Sequence, residues 1–368
     1  METGGRFVET RLLSVNPDSP EPGVIREAAG ILRGGGVVAF PTETVYGLGA
    51  DALNAEAVSR IFAAKGRPAR NPIIVHVRSI ERARELASQW PPAAQSLAER
   101  FWPGPLTLVL KKRSCVPDVV TAGRDTVALR CPNHAVALAL LEAAGCPIAA
   151  PSANLSEQLS PTLAAHVVRS LGGRIEMILD GGPAAVGLES TVVDVTTQSP
   201  RLLRPGAVSL DSLCEVCGGV EIGTDPASHE EAFESPGQML RHYSPRTRMI
   251  CCDATTAEVT VLAELERGKN VGWLRWGAES SGVAAKANRS GATIIDMPIG
   301  AESYAARLYA TLHELDAAAL DLIVATLPPD TEAWRAVRDR LRRAASSITP
   351  ASPMHGGGTD NSGGGIVE

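Results

Sequence analysis

Three arginines, far apart in the chain, share one local setting. Arg67 lies in KGRPARNP, Arg130 ends TVALR just before Cys131-Pro132, and Arg204 ends RLLR before Pro205-Gly206. Proline breaks a strand or helix, so each guanidinium stands at the end of an element, where a side chain can reach into a cleft mouth. A guanidinium stays protonated and forks onto two oxygens of a carboxylate or phosphate. Each arginine alone could equally form an exposed ion pair, but their recurrence favours one shared anionic ligand. Lys65 adds a point charge two residues before Arg67, and Thr44, Ser152, Asn154 and Ser190 offer hydroxyls and an amide to orient a small polar substrate. No Ser-His-Asp signature, HExxH helix or histidine cluster accompanies them, so alignment and electrostatics are the economical expectation for catalysis.

The elements that must position these groups centre on residues 41–76. An apolar strand at Val37–Phe40 leads into a turn with Thr42, Thr44, Gly47 and Gly49, where a ligand could approach the backbone. Thr42 could as easily satisfy its own main chain. The spacing of Ala57, Val58, Ile61 and Phe62 predicts a helix that ends at Gly66 in a left-handed cap. Lys65 and Arg67 flank that end, where they could simply complement the helix dipole, but Pro68 and Asn71-Pro72 stiffen the corner more than a dipole cap requires. The chain then returns as a strand at Ile73–Val77, containing His76.

Further along, Ser19 and Pro22 predict a capped helix, and strands are expected at Leu106–Leu110, Thr126–Arg130, Ile148–Ala150, Ile175–Leu179, Ser190–Val195 and Arg201–Arg204. Ser160 as N-cap, with Pro161 and Thr162 in the first turn, predicts a helix start whose free N–H groups suit a phosphate. Residues 218–234 read as an interdomain linker. From Met249 onward, strands and helices alternate as in a small three-layer parallel sheet, and the Gly/Ser-rich end is expected to be disordered.

At 368 residues with 44% hydrophobic and 21% charged composition, the chain is long enough for two globular domains. A net charge of −6 and 4% aromatics argue against a nonspecific polyanion binder that stacks bases. Seven cysteines, with no signal pattern in METGGRFVET, favour reduced thiols and a cytoplasmic location. The CxxC spacing of Cys214 and Cys217 lacks the second pair that a zinc site needs. No apolar run is long enough to span a membrane.

In order, PTETVYGLGADA, KGRPARNPIIVH, TVALRCPNH, PSANLSEQLSPT, ESTVVDV and RLLRPG closely resemble the YrdC-like domain of threonylcarbamoyl-adenylate synthases, and SPGQMLRHYSP followed by an α/β pattern resembles the longer two-domain members. The resemblance implies a YrdC-like twisted open sheet with helices around a basic cleft (residues 10–217). It also implies a linker folding over the active site (218–246), a Rossmann-like parallel α/β domain (247–346) and a disordered tail (347–368). It implies that ATP, L-threonine and bicarbonate become threonylcarbamoyl-AMP and diphosphate, with Mg2+ carried on ATP and no metal held by the protein itself. The product would pass to a tRNA threonylcarbamoyl-transferase complex that modifies adenosine next to the anticodon, with no stable nucleic-acid or membrane binding by this chain.

Carried over position by position, the resemblance sets Thr44, His76, Arg130, Ser152 and Ser190 around threonine. It sets Arg67, Asn71, Thr126, Asn154, Thr162, Arg204, Arg241, His242 and Tyr243 around the nucleotide, with Lys65 and Arg67 as the catalytic charges. Met239 and Leu240 depart from the family's linker pattern, which often has lysine and tyrosine there. Two other readings compete. A carbamoyltransferase handling carbamoyl-adenylate would want an N-terminal zinc-finger cysteine array, which is missing, and a double-stranded RNA-binding module would show salt-sensitive RNA affinity without ATP turnover.

Overall fold

A computed structural model describes residues 8–345, apart from 69, 224–242 and 278–281. Its first unit is a mixed sheet of eleven strands. From one edge to the other they run Arg11–Ser14, Met177–Asp180, Val38–Phe40, Gly47–Asp51, Ile148–Ala149, Ile74–His76, Thr126–Arg130, Leu106–Lys111, Thr191–Asp194, Arg201–Arg204 and Glu221–Ile222. On one face the Ala55–Lys65 helix buries Ala57, Val58, Ile61 and Phe62; on another core the Pro22–Arg33 helix packs with Ala135–Ala144. The first of these helices begins where the Asn54 side chain accepts hydrogen bonds from the Glu56 and Ala57 N–H groups, and ends at Gly66 with φ of 60°.

Several elements depart from expectation. Gly47–Asp51, read as a turn, is a strand, and its glycines serve packing: a Cβ on Gly49 would lie 2.7 Å from Ile148 Cγ2 and 2.8 Å from Phe40 Cε1. Ser160 does not cap a helix. The helix runs Ala164–Leu171 with Leu163 at the N-cap position, because the Ser160 hydroxyl is drawn to Glu189 Oε1 at 2.5 Å instead. The first helix starts at Pro22 with Glu21, not Ser19, before it. Glu221–Ile222, inside the expected linker, pairs with Arg201–Leu202 as an edge strand of the large sheet. Linker residues 224–242 and the C-terminal tail lie outside the described residues.

The second unit is a four-stranded parallel sheet, in the order Met249–Cys252, Leu322–Thr326, Val271–Arg275, Thr293–Asp296. Helices Ala254–Glu266 and Gly282–Arg289 cover one face, and Ala301–Ala317 and Arg335–Ala344 the other. The core under the latter pair also holds Val45, Leu159 and Leu188 of the first unit, so the two units share one hydrophobic interior. Among the described residues, no helix is long and apolar enough to cross a membrane.

Candidate active site

In the large sheet, Ile74 pairs with Ala128 and His76 with Arg130 in parallel register. Side chains at paired parallel positions share a face, so His76 and Arg130 project together from adjacent strand ends. They open into a cavity lined by Thr42, Thr44, Val45, Gly47, Arg67, Ile74, His76, Arg130, Ala150, Pro151, Ser152, Glu189, Ser190, Arg204 and Tyr243. All three corner arginines therefore meet in one hollow, each less than one-tenth exposed.

Their surroundings differ. Arg130 donates from Nη1 to Thr44 Oγ1 at 2.8 Å and from Nε to Gly104 O at 3.3 Å, and its Nη2 lies 2.8 Å from Glu43 Oε2 in a buried ion pair. Its charge is matched. Arg204 donates from Nε and Nη2 to Ser190 O at 3.0 and 2.9 Å, and from Nη2 to Ser190 Oγ at 3.1 Å. Arg67 donates to Pro72 O at 2.9 Å, while its Nε finds no acceptor among the described residues. Burial, with Arg204's like charge adding to it, draws the Arg67 pKa down to about 10. Burial lowers that of Arg204 as well, reinforced by Arg340 and opposed by Tyr243 and Glu189. Depressed arginine values mark positive charge that the protein only partly compensates, which is what an incoming anion would relieve.

Around the arginines stand polar groups of fixed direction. Thr42 Oγ1 donates to Val45 O at 2.7 Å, closing its own turn, while Thr44 Oγ1 receives Arg130. Ser190 Oγ lies 2.7 Å from Thr107 Oγ1. The His76 ring is kept neutral by burial first and then by Arg130, its pKa pushed down to about 3, and its Nδ1 has no hydrogen-bond partner among the described residues. Asn154 Oδ1 and Thr162 Oγ1, both buried, are in the same condition. Buried polar atoms of this kind call for partners.

Lys65 departs from its expected place. It is buried, lies outside the cavity lining, and donates to Ser152 O at 2.6 Å and to Asn154 O, tying down the 152–154 turn. Burial, then Arg67's charge, holds its pKa well below the usual lysine value. Asn71, Asn154 and Thr162 are buried and do not line the cavity, and Thr126 stands four residues before Arg130 on the same strand. Arg241 and His242 lie outside the described residues, whereas Tyr243 reaches the lining from a left-handed backbone (φ 63°). Two acidic residues that sequence reasoning did not single out, Glu43 and Glu189, sit at the site, both within motifs already quoted, PTET and EST.

A large mixed sheet presenting arginines and hydroxyls at neighbouring strand ends, with a parallel α/β unit packed on a shared core, defines a YrdC-type protein with a second domain. Residues 30–206 match the Sua5/YciO/YrdC family, described as telomere recombination, and residues 208–346 match the family described as threonylcarbamoyl-AMP synthase, C-terminal domain. The threonylcarbamoyl-AMP synthase of Pyrococcus abyssi is 44% identical over 87% of this chain and 94% of its own length; that of Bacillus subtilis is 42% identical over 94% and 98%. A shorter protein of the same name from Halorhodospira halophila is 43% identical over 45% of this chain and 86% of its own length. The crystal structure of P. abyssi Sua5 complexed with L-threonine aligns with a TM-score of 0.84 at 42% identity, over 91% of this chain and 97% of that one. The chain belongs to the threonylcarbamoyl-AMP synthase family, in its two-domain form.

Proposed function

We propose that this chain is an L-threonylcarbamoyladenylate synthase, a nucleotidyltransferase that converts ATP, L-threonine and bicarbonate to threonylcarbamoyl-AMP and diphosphate. The observation that carries this reading is the meeting of Arg67, Arg130 and Arg204 in one cavity beside Thr44, Ser152 and Ser190, in a chain of that family. Threonine's amine adds to bicarbonate with loss of water to give N-carboxythreonine. The new carboxylate attacks the α-phosphorus of ATP as the bond to the β-phosphate oxygen breaks, and diphosphate leaves.

Such a site must first gather two anions and a zwitterion, so its contribution is alignment and charge. In this reading Arg130, held by Glu43 and Thr44, receives threonine's carboxylate, with His76, Ser152 and Ser190 around the rest. Arg67 and Arg204 face the phosphates, and Asn71, Thr126, Asn154, Thr162 and the Arg241–Tyr243 segment surround the nucleotide. Lys65 acts through the carbonyls of Ser152 and Asn154, a role supported by its two hydrogen bonds. Of the carboxylates at the site, Glu43 faces Arg130 and Glu189 faces Arg340, so Mg2+ fits this donor set as a companion of the phosphates and not as an ion in a protein cage. The division into a catalytic unit (10–217) and a C-terminal unit (247–346), transfer of the product to a tRNA-modifying complex and residence in the cytoplasm belong to the same reading.

The test is diphosphate release from ATP with bicarbonate, with and without L-threonine, together with mass detection of the adenylate. Threonine-dependent release is expected. Release that ignores threonine, or salt-sensitive RNA binding without turnover, would overturn the reading.

A further inference from the structure

His166 and His313 stack across the boundary between the two units, with ring centres 3.8 Å apart and planes inclined by 23°. His166 belongs to the Ala164–Leu171 helix of the first unit and His313 to the Ala301–Ala317 helix of the second. Each ring grips the main chain of residues 160–162. His166 Nδ1 accepts from the Thr162 N–H at 3.3 Å, and His313 Nε2 donates to Ser160 O at 3.1 Å. These bonds fix the tautomers, because an accepting Nδ1 leaves the proton of neutral His166 on Nε2, and a carbonyl can only receive one from His313.

The segment they hold is joined to two walls of the cavity. Pro161 O accepts from the Tyr46 N–H at 2.8 Å, between the lining residues Val45 and Gly47, and Ser160 Oγ donates to Glu189 Oε1 at 2.5 Å. Thr162 Oγ1 is buried and has no hydrogen-bond partner among the described residues. A buried hydroxyl in that condition calls for a partner, and its direction is set by the backbone whose N–H His166 holds.

We propose that His166 and His313 are positioning residues for the reaction: stacked as one block, they hold residues 160–162 so that the Thr162 hydroxyl meets the nucleotide. This assignment rests on the synthase reading above and gives the second unit a share in the site through His313. The grip requires neutral rings. Protonating His166 Nδ1 would remove the acceptor for the Thr162 N–H, and two imidazolium rings at this spacing would repel. Arg169 and Arg246, which line a cavity beside the rings, add positive charge. Asp316, the carboxylate lining the same cavity, is already engaged by Arg246 Nε at 3.2 Å and the Thr247 N–H at 2.8 Å. Burial first, then the nearby positive charges, lowers the pKa of His166 to about 3 and that of His313 to about 4, so the grip is intact at neutral pH.

The test separates the nitrogen from the ring. His166→Asn keeps an acceptor at the Nδ1 position and loses the ring, whereas His166→Phe keeps an aromatic ring and loses the acceptor. His313→Gln likewise keeps a donor at the Nε2 position, and His313→Phe removes it. KM for ATP, KM for threonine and kcat are measured by diphosphate release in the full-length protein. Threonine-dependent turnover by the wild type establishes the underlying reading separately from this inference. Both Phe variants are expected to raise KM for ATP about five-fold or more, as loss of a positioning hydrogen bond would, with KM for threonine within about two-fold of wild type. The Asn and Gln variants are expected to stay within about two-fold of wild type in both. Folded Phe variants with wild-type KM for ATP would overturn the proposal. So would Asn and Gln variants as impaired as the Phe variants, since the stack would then matter only as packing. Should the Phe variants fail to fold, the Asn and Gln variants decide: near-wild-type KM for ATP supports the proposal, and a rise of about five-fold refutes it.

Discussion

Arg67 and Arg130 have the same side chain, but they sit in opposite electrostatic situations. Arg130 has a buried carboxylate 2.8 Å away, whereas Arg67 has a carbonyl acceptor and a pKa drawn down to about 10 by burial. A charge that already has its counterion contributes orientation, and one that lacks it contributes attraction. Replacing Arg67→Ala should therefore cost ~2 kcal/mol in kcat/KM for ATP, roughly a thirty-fold loss, while the denaturant midpoint changes little or rises, because a buried charge with few partners is removed. An unchanged kcat/KM would return Arg67 to a purely structural role. The same scale explains why Glu189 escaped notice in the sequence. A glutamate beginning a strand motif gives no sign of burial, and its cation lies 151 positions downstream.

At the scale of elements, the turn at 152–154 carries site residues but is held by a helix end. Lys65, the last residue of the Ala55–Lys65 helix, donates to two carbonyls of that turn. Removing its ammonium leaves those carbonyls without that donor, at a cost on the order of 1–3 kcal/mol. Lys65→Met should lower the chemical-denaturation stability by about that much. It should also reduce turnover, because Ser152 and Asn154 lose their anchor. Loss of turnover with an undiminished unfolding free energy would instead argue that Lys65 touches substrate. The left-handed cap at Gly66 and the proline corner after it announced the helix end in the sequence because they are local, whereas the reach of Lys65 to a turn almost ninety residues away was not announced. The helices Pro92–Phe101, Ala135–Ala144 and Gly282–Arg289 carried weaker signals and went unanticipated.

For the whole molecule, the defining feature is that the two units share a core around the loop leading to Ser190. Gly187, at φ of 74°, lies directly against the Ala301–Ala317 helix: a Cβ there would stand 2.6 Å from Ala305 O and 2.6 Å from Ala306 Cα. Gly187→Ala is therefore expected to destabilise the protein by roughly 1–3 kcal/mol in guanidinium titration and to depress activity, by prying the C-terminal unit away from Leu188 and Glu189. A variant with full stability would contradict this close approach. Acid should act on the same interface. His313 Nε2 donates to Ser160 O at 3.1 Å, its ring stacks on His166 at 3.8 Å, and its pKa is lowered to about 4, chiefly by burial; His76 is lowered to about 3. Both rings are neutral when folded, whereas the unfolded chain protonates histidine near 6.5. Their stability contribution is complete above that value and is lost as pH falls toward 4, at up to about 1.4 kcal/mol per pH unit for each ring. His313→Asn should flatten the dependence of unfolding free energy measured between about pH 7 and about pH 5; an unaltered slope would exclude His313 as a contributor.

The strand ends and proline corners beside Arg130 and Arg204 and the Gly66 cap before Arg67 were readable from order and spacing, because backbone preference acts over a few neighbouring residues, whereas the caps expected at Ser19 and Ser160 and the turn at Gly47–Gly49 were not what formed. Motif order was likewise enough to suggest the family and a two-unit chain. Which charges become partners was not readable: the Arg130–Glu43 and Arg340–Glu189 pairs, the turning of Lys65 toward carbonyls and the shared core all depend on which surfaces are buried against one another. Burial strengthens every uncompensated charge and shortens every tolerable separation, and that is a property of the packed three-dimensional interior, not of any local stretch of chain.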